Sequence, residues 1–211
     1  MSQKFISMET FVGAGGSYLG LKKAGFKTVY VNEIDKNFAK TLTHNNKKDL
    51  EDCLIDIKPI EEINFKEVRN KLNLKKKVVD LMFGGPVCKG YSLAGVRDPS
   101  DIRNTLYRHQ LRMISEFLPK ISIIENVPAM RTSLILKSGI EKNKLKEISY
   151  VWKQLDVFKG MKAKLTKEGK KLSKKEFADY NLIKSKKKKF EEFVKDNSIS
   201  VIDDIKLSLE K

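Results

Sequence analysis

Lys4-Phe-Ile-Ser-Met-Glu-Thr-Phe11-Val-Gly13-Ala-Gly15-Gly16 decides the fold of this 211-residue chain. Lys4 to Phe11 reads as a strand, and a glycine cluster follows at once. Tyr18 to Ala24 then reads as a helix that Gly25 closes. Strand, glycine turn and helix in that order open a β–α–β series. Lys27 to Asn32 reads as a second strand, ending in Glu33-Ile34-Asp35, and Asn37 to Asn45 as helix. Asp52 to Ile57 is a short third strand and Glu61 to Leu72 a third helix. Val78 to Phe83 is a buried strand running into Gly84-Gly85-Pro86. Leu106 to Leu118 is helical, and Ile121 to Glu125 is a fifth strand. This alternation predicts an α/β fold with a mostly parallel, doubly wound sheet.

Lys and Arg number 43 against 27 Asp and Glu, a net charge of +16. That balance favours a polyanionic partner such as nucleic acid. A coding bias towards Lys is the bland alternative. Cys53 and Cys88 form no CxxC or zinc spacing, which argues against a metal site and against a disulfide framework. No stretch reaches membrane-span length, and the N-terminus lacks a long apolar segment. A soluble, cytoplasmic protein with no metal and no membrane partner is expected.

From Lys137 to Lys211 the chain holds 21 Lys, no Arg and 12 acidic residues. Its apolar pattern is sparse until Val201 to Leu209. Residues 138–197 therefore read as an insertion or helical hairpin rather than a second core. Val201 to Lys211 reads as one more amphipathic helix. It has no cap and no following strand, which suggests an incomplete chain.

Glycines after a first strand let the backbone approach a ligand and expose helix amides. A GxGxxG dinucleotide pattern would need glycine where Tyr18 stands, which argues against a nicotinamide site. Glu33 closes the second strand about 20 residues on, where an acid can bind ribose hydroxyls, or it is a solvated strand end. Asp56 could meet an adenine amine. Together they describe an adenosyl ligand across the C-terminal edge of the sheet. Cys88 sits on the turn after the fourth strand, where an α/β enzyme presents a nucleophile. The bland reading is a small packing residue. Lys89 beside it either favours the thiolate or points to solvent. Cys53 reads as a packing residue, His44 and His109 as surface or satisfied positions, and Trp152 as an anchor for the appended helices.

Phe11-x-Gly-x-Gly-Gly16, Asn32-Glu-Ile-Asp35, Gly84-Gly-Pro-x-Cys88-x-Gly-Tyr-Ser92, Arg103-Asn-x-Leu-Tyr107 and Glu125-Asn-Val127 occur in this order. The set resembles the N-terminal catalytic half of C5-cytosine-specific DNA methyltransferases, over about residues 4–135. The resemblance implies a Rossmann-like S-adenosyl-L-methionine-dependent methyltransferase fold acting on double-stranded DNA. It makes Cys88 the nucleophile and Glu125 the group that contacts ring N3 and the exocyclic amine. Phe11, Ala14, Gly15, Gly16, Glu33 and Ile34 would line the cofactor site with Asp56, Ile57, Pro86 and Leu106. The implied organisation is a cofactor-binding catalytic core over 1–136, a Lys-rich helical insertion over 137–200 and a terminal helix over 201–211.

The chain departs from the family pattern at Val87, Lys89 and Glu9, where Pro, Gln and Asp are usual. The family's Gln-x-Arg-x-Arg segment and target-recognition domain are absent, and Arg131 is the last arginine. The function implied is therefore a DNA (cytosine-5-)-methyltransferase fragment, or one subunit of a split restriction-modification enzyme of prokaryotic or phage origin. A second polypeptide would then carry the missing motifs. The alternative is a catalytically inactive, methyltransferase-like nucleic-acid-binding module.

Overall fold

The computed structural model describes residues 5–87 and 98–210. They fall into two compact units, residues 5–87, 106–126 and 208–210 in one and residues 98–105 and 127–207 in the other.

The first unit is built on a parallel sheet. β1 (Ile6–Thr10), β2 (Lys27–Asn32), β3 (Leu54–Asp56), β4 (Leu81–Gly84) and β5 (Ile121–Ile124) stand in the order β3-β2-β1-β4-β5. All four pairings are parallel. The order reverses at β1, which makes the gap between β1 and β4 the switch point of a doubly wound sheet. Helices α1 (Gly16–Lys23), α2 (Lys36–Asn45), α3 (Phe65–Lys71) and α4 (Tyr107–Phe117) alternate with the strands. Strand side chains alternate between the two faces. Met8, Tyr30 and Met82 join Phe65, Val68, Met113 and Phe117 in one buried layer, while Val31 meets Tyr18, Leu42 and Leu50 in another. Both faces are covered, which is why these strands read as apolar runs.

β2 has the bounds expected of it. α1 also closes as expected: Gly25, at φ 88°, donates to Lys22 O, and Phe26 donates to Leu21 O, each at 3.0 Å. That is a Schellman close. The helix expected over Glu61 to Leu72 is broken instead. Ile60–Glu62 is a 3-10 turn, and α3 begins only at Phe65. Asn64 caps it, accepting from the Glu67 amide at 3.4 Å and donating to the Glu67 carboxylate at 2.9 Å. Asn is poor inside a helix and strong at its start. β4 begins at Leu81 rather than Val78 because Asp80 closes the N-terminal rim of the sheet. Its Oδ2 accepts from the Ile6 amide at 2.7 Å and its Oδ1 from Lys120 at 2.6 Å. The Lys120 ammonium, and then the Ile6 amide, hold that carboxyl below the usual range.

The second unit contains a helical hairpin. α5 (Lys142–Lys167) runs into a turn with Gly169 at φ 68°, and α6 (Lys174–Asp196) starts at a reciprocal Ser173–Glu176 capping pair. β6 (Leu134–Leu136) and β7 (Ser198–Ser200) pair antiparallel at the base of the hairpin, and α7 (Val201–Leu209) follows. The sparse apolar pattern predicts no core here, yet Ile148, Val151, Trp152, Leu155 and Ile183 are buried together. A two-helix seam buries only one stripe of each helix, so few apolar residues suffice. Trp152 anchors the seam as expected, with the Lys187 ammonium 5.1 Å from its ring centre.

One buried group sets a pH dependence. Glu9 on β1 is fully buried, and desolvation pushes its carboxyl up to about 7 against the opposing Ser17 and Thr28 hydroxyls. In the unfolded chain this carboxyl ionises near 4.5. The folded state therefore holds the extra proton between those values. Its contribution to stability is greatest below the unfolded value and falls, by on the order of 3 kcal/mol, as pH rises to the folded one. Glu9→Gln is expected to remove this slope, read from denaturant midpoints at about pH 5 and about pH 7.5. An unchanged slope in the variant contradicts the assignment.

Candidate active site

Parallel register places Thr10 opposite both Asn32 and Gly84, Asn32 opposite Asp56, and Gly84 opposite Ile124. The strands thus end on one row: Asp56, Asn32, Thr10, Gly84, Ile124. At about 4.8 Å between strands the row spans roughly 19 Å. The candidate residues of the first unit cluster along it. Phe11, Ala14, Gly15 and Gly16 follow β1, and Glu33 and Ile34 follow β2. Asp56 and Ile57 close β3, Pro86 follows β4, and Glu125 follows β5. Leu106 leads into α4 and packs against the buried layer that contains Met8.

The turn after β1 is tight. Gly15 has φ 97°, and a Cβ there would stand 2.5 Å from Leu42 Cδ1, so only glycine fits. Phe11 adopts φ 55°, uncommon for a residue with a side chain. Glu33 holds this turn in place. Its Oε2 accepts from the Gly13 amide at 2.8 Å, and its Oε1 accepts from the Ile34 and Asp35 amides at 2.9 and 2.8 Å. A carboxylate offers about four acceptor positions. Most of this one is committed to the backbone, and a single acceptor position is left over. The sequence reading of Glu33, a ribose-binding acid or a solvated strand end, did not include this backbone role, and the buried side chain excludes the solvated alternative.

Asp56 accepts from the Tyr30 hydroxyl at 3.1 Å through Oδ2, and its Oδ1 lies 3.7 Å from the Lys58 ammonium. Burial, then the Asp56 charge, push the Tyr30 phenol up, so it stays a donor. The Asn32 side chain donates to the carbonyls of Asp56 at 3.1 Å and Lys58 at 2.9 Å. Sequence reasoning missed this clamp; an amide side chain ending an apolar strand was its only signal. Ile34 and Ile57 are 64% and 45% exposed, two apolar side chains left in solvent beside these polar groups.

Across the switch point, a Cβ on Gly84 would overlap Gln110 Oε1 and Thr10 Oγ1, so the close approach there demands glycine. Gln110, fully buried on α4, donates to Ile123 O at 3.0 Å. It too escaped sequence reasoning, as a polar residue within an apolar helix pattern. The Glu125 amide donates to Gly84 O at 2.9 Å, and its exposed carboxylate lies over Gly85, where a Cβ would be 3.2 Å from Oε2. Asn126 donates to Pro86 O at 2.7 Å. This bond ties the residues after β5 to the Gly-Gly-Pro turn.

Cys88 and Lys89 lie outside the described residues. Cys53 packs beside Val12, Tyr18 and Leu42, and burial pushes its thiol up to about 12, so it stays protonated and unreactive at neutral pH. His109 is satisfied by Arg112, with Nη1 2.7 Å from Nδ1. Burial first, then the Arg112 charge, lower its pKa. Among the described residues no three His, Cys, Asp or Glu side chains are grouped to hold a metal, and no helix is long and apolar enough to cross a membrane.

A family model for C-5 cytosine-specific DNA methylase matches residues 5–206. Curated relatives include the Type II methyltransferase M.AgeI of Thalassovita gelatinovora, 35% identical over 121 residues, covering 57% of this chain and 27% of that protein. M.PspPI of Psychrobacter sp. is 34% identical over 181 residues, covering 81% and 39% respectively. M.Sau96I of Staphylococcus aureus is 39% identical over 122 residues, covering 56% and 26%. The chain thus spans roughly a quarter to two fifths of the length of these relatives. Because the family match runs from β1 into α7, the chain belongs to the C-5 cytosine-specific DNA methylases.

Proposed function

We propose that this chain supplies the cofactor edge and the nucleophile of a DNA (cytosine-5-)-methyltransferase in a cytoplasmic restriction-modification system. The observation that carries the reading is the single row of strand ends at the switch point, with the glycine turn, Glu33 and Asp56 on one side and Glu125 on the other.

The cofactor half fits an adenosyl group. Exposed Ile34 and Ile57 offer apolar faces to a purine, Asp56 an acceptor for its amine, and the free position on Glu33 an acceptor for a ribose hydroxyl. Phe11, Ala14, Gly15, Gly16, Pro86 and Leu106 complete the proposed lining. S-adenosyl-L-methionine, when bound, supplies an electrophilic methyl group.

The remaining chemistry falls to the chain and the base. Cytosine must leave the duplex stack, at a cost of a few kcal/mol. The Cys88 thiolate adds to C6, forming the S–C6 bond and moving the C5–C6 π pair onto C5, which becomes the nucleophilic carbon. Glu125 accepts from the exocyclic amine with one oxygen and, when protonated, donates to N3 with the other. Once C5 carries its methyl group, a water takes the C5 proton, the C–H pair re-forms the C5–C6 double bond, and the C6–S pair returns to Cys88 as thiolate. The arginines of Gln-x-Arg-x-Arg are absent from these 211 residues. In this proposal the complete reaction also needs those arginines, supplied from outside these residues.

Two outcomes test the reading. Glu33→Gln keeps the shape but sets an amide donor against the backbone amides, so binding of S-adenosyl-L-methionine, measured by calorimetry, should weaken about tenfold or more. Unchanged affinity contradicts the role of Glu33. The chain mixed with the polypeptide carrying Gln-x-Arg-x-Arg should transfer labelled methyl groups to DNA and form a covalent adduct on 5-fluorocytosine DNA. Cys88→Ser should abolish that adduct. Persistent trapping in the variant rules out Cys88, and robust site-specific transfer by these residues alone rules out the need for the missing arginines.

A further inference from the structure

The hairpin carries most of the charge imbalance of the protein. Residues 142–196, about a quarter of the chain, hold 18 Lys, 8 Asp or Glu and no Arg. The lysines differ in what they do. Lys187 pairs with Glu191 at 2.9 Å and lies over Trp152, so it belongs to the seam. Lys144 lies 3.6 Å from Glu147, and 4.7 and 5.5 Å from the ring centres of Phe190 and Phe193. Lys186 and Lys189 make no ion pair among the described residues.

These residues form one surface. Lys186, Lys189, Phe190 and Phe193 stand at i, i+3, i+4 and i+7 on α6 and share a face. Lys144, Glu147 and Val151 share a face of α5. The two faces line a groove of about 510 Å³, together with Tyr150, which is 57% exposed. The groove is thus lined by apolar and aromatic side chains, by the Lys144–Glu147 pair and by the unpaired ammonium groups of Lys186 and Lys189. An ordinary solvated lysine face has no such aromatic cleft. Unpaired cations beside accessible rings match a nucleic-acid strand, whose phosphates alternate with flat, stackable groups.

We infer that the α5–α6 groove is a DNA contact surface: Lys186 and Lys189 take backbone phosphates, and Tyr150 packs against the sugar–base edge of the same strand. This rests on DNA being the substrate, and it adds a backbone-reading surface separate from the residues assigned to chemistry.

The test is the salt dependence of binding to a labelled DNA duplex of arbitrary sequence, followed by fluorescence anisotropy. Three variants are compared with the parent chain: K186Q/K189Q, Y150A, and K174Q/K175Q, which removes equal charge at the start of α6. Circular dichroism checks that each keeps its helix content. For K186Q/K189Q the slope of log affinity against log salt should fall by about 2, near one per phosphate-binding lysine. Affinity should drop about tenfold. Y150A should weaken binding with the slope retained, and K174Q/K175Q should change little. Equal losses in the two lysine pairs would reduce the groove to net charge and overturn the inference. So would polyglutamate, an acidic peptide, competing as well as DNA at equal charge, or no duplex binding by the parent chain. S-adenosyl-L-methionine binding by the same proteins separates the two levels. Its retention with an unchanged salt slope sinks the groove alone, whereas its absence in the parent chain counts against the proposed function.

Discussion

The Glu33 carboxylate accepts amides from both sides of the β1–β2 edge, Gly13 on one and Ile34 and Asp35 on the other. Three charge-assisted bonds on one buried side chain are strong for their size. They hold a turn whose Phe11, Gly13 and Gly15 all sit at positive φ. Two backbone bonds support the same turn, Gly15 N to Val12 O and Val12 N to Asn32 O, each at 3.1 Å. Asn32 does the equivalent work between β2 and β3, and Asn126 between β5 and the Gly-Gly-Pro turn. The sheet edge is therefore a row of backbone turns, each fixed by one polar side chain. Those fixed turns are what leave Ile34, Ile57 and the Glu125 carboxylate open to solvent.

Close packing makes the edge exacting. Gly15 faces Leu42, and Gly84 faces Gln110 and Thr10, with no room for a methyl group at either place. Those glycines are needed because side chains already fill the space where a Cβ would stand. The two halves of the row differ in character. The β2–β3 side combines apolar surface with carboxylate acceptors, and the β4–β5 side presents a carboxylate over bare backbone. Such a division suits a ligand with a flat apolar group on one side and a polar ring undergoing charge development on the other.

Much of this is legible in the amino-acid sequence. β2, the Gly25 close of α1 and the parallel alternation follow from strong local signals: apolar runs, a helix-ending glycine, strand and helix lengths. The break at Asn64 was readable in principle, since Asn64 and Glu67 form a capping pair, but the apolar spacing through Ile63 and Val68 masked it. β6 and β7 were out of reach. Each is three residues long, and their partnership is a long-range pairing that no local pattern encodes. The structural role of Glu33 is hidden for a related reason, because sequence gives a side chain no geometry and cannot show that three amides converge on it. Glu9 is similar: its position was plain, but its burial depends on how α1 and β2 cover it.

The row of strand ends is the proposed place of an adenosyl ligand. A crystal structure of the chain grown with S-adenosylhomocysteine tests this most directly. Ligand density is expected along the C-terminal ends of β1, β2 and β3, with the ribose against Glu33 and the purine between Ile34 and Ile57 near Asp56. Density elsewhere on the protein, or a structure in which that edge stays empty at saturating ligand, would contradict it.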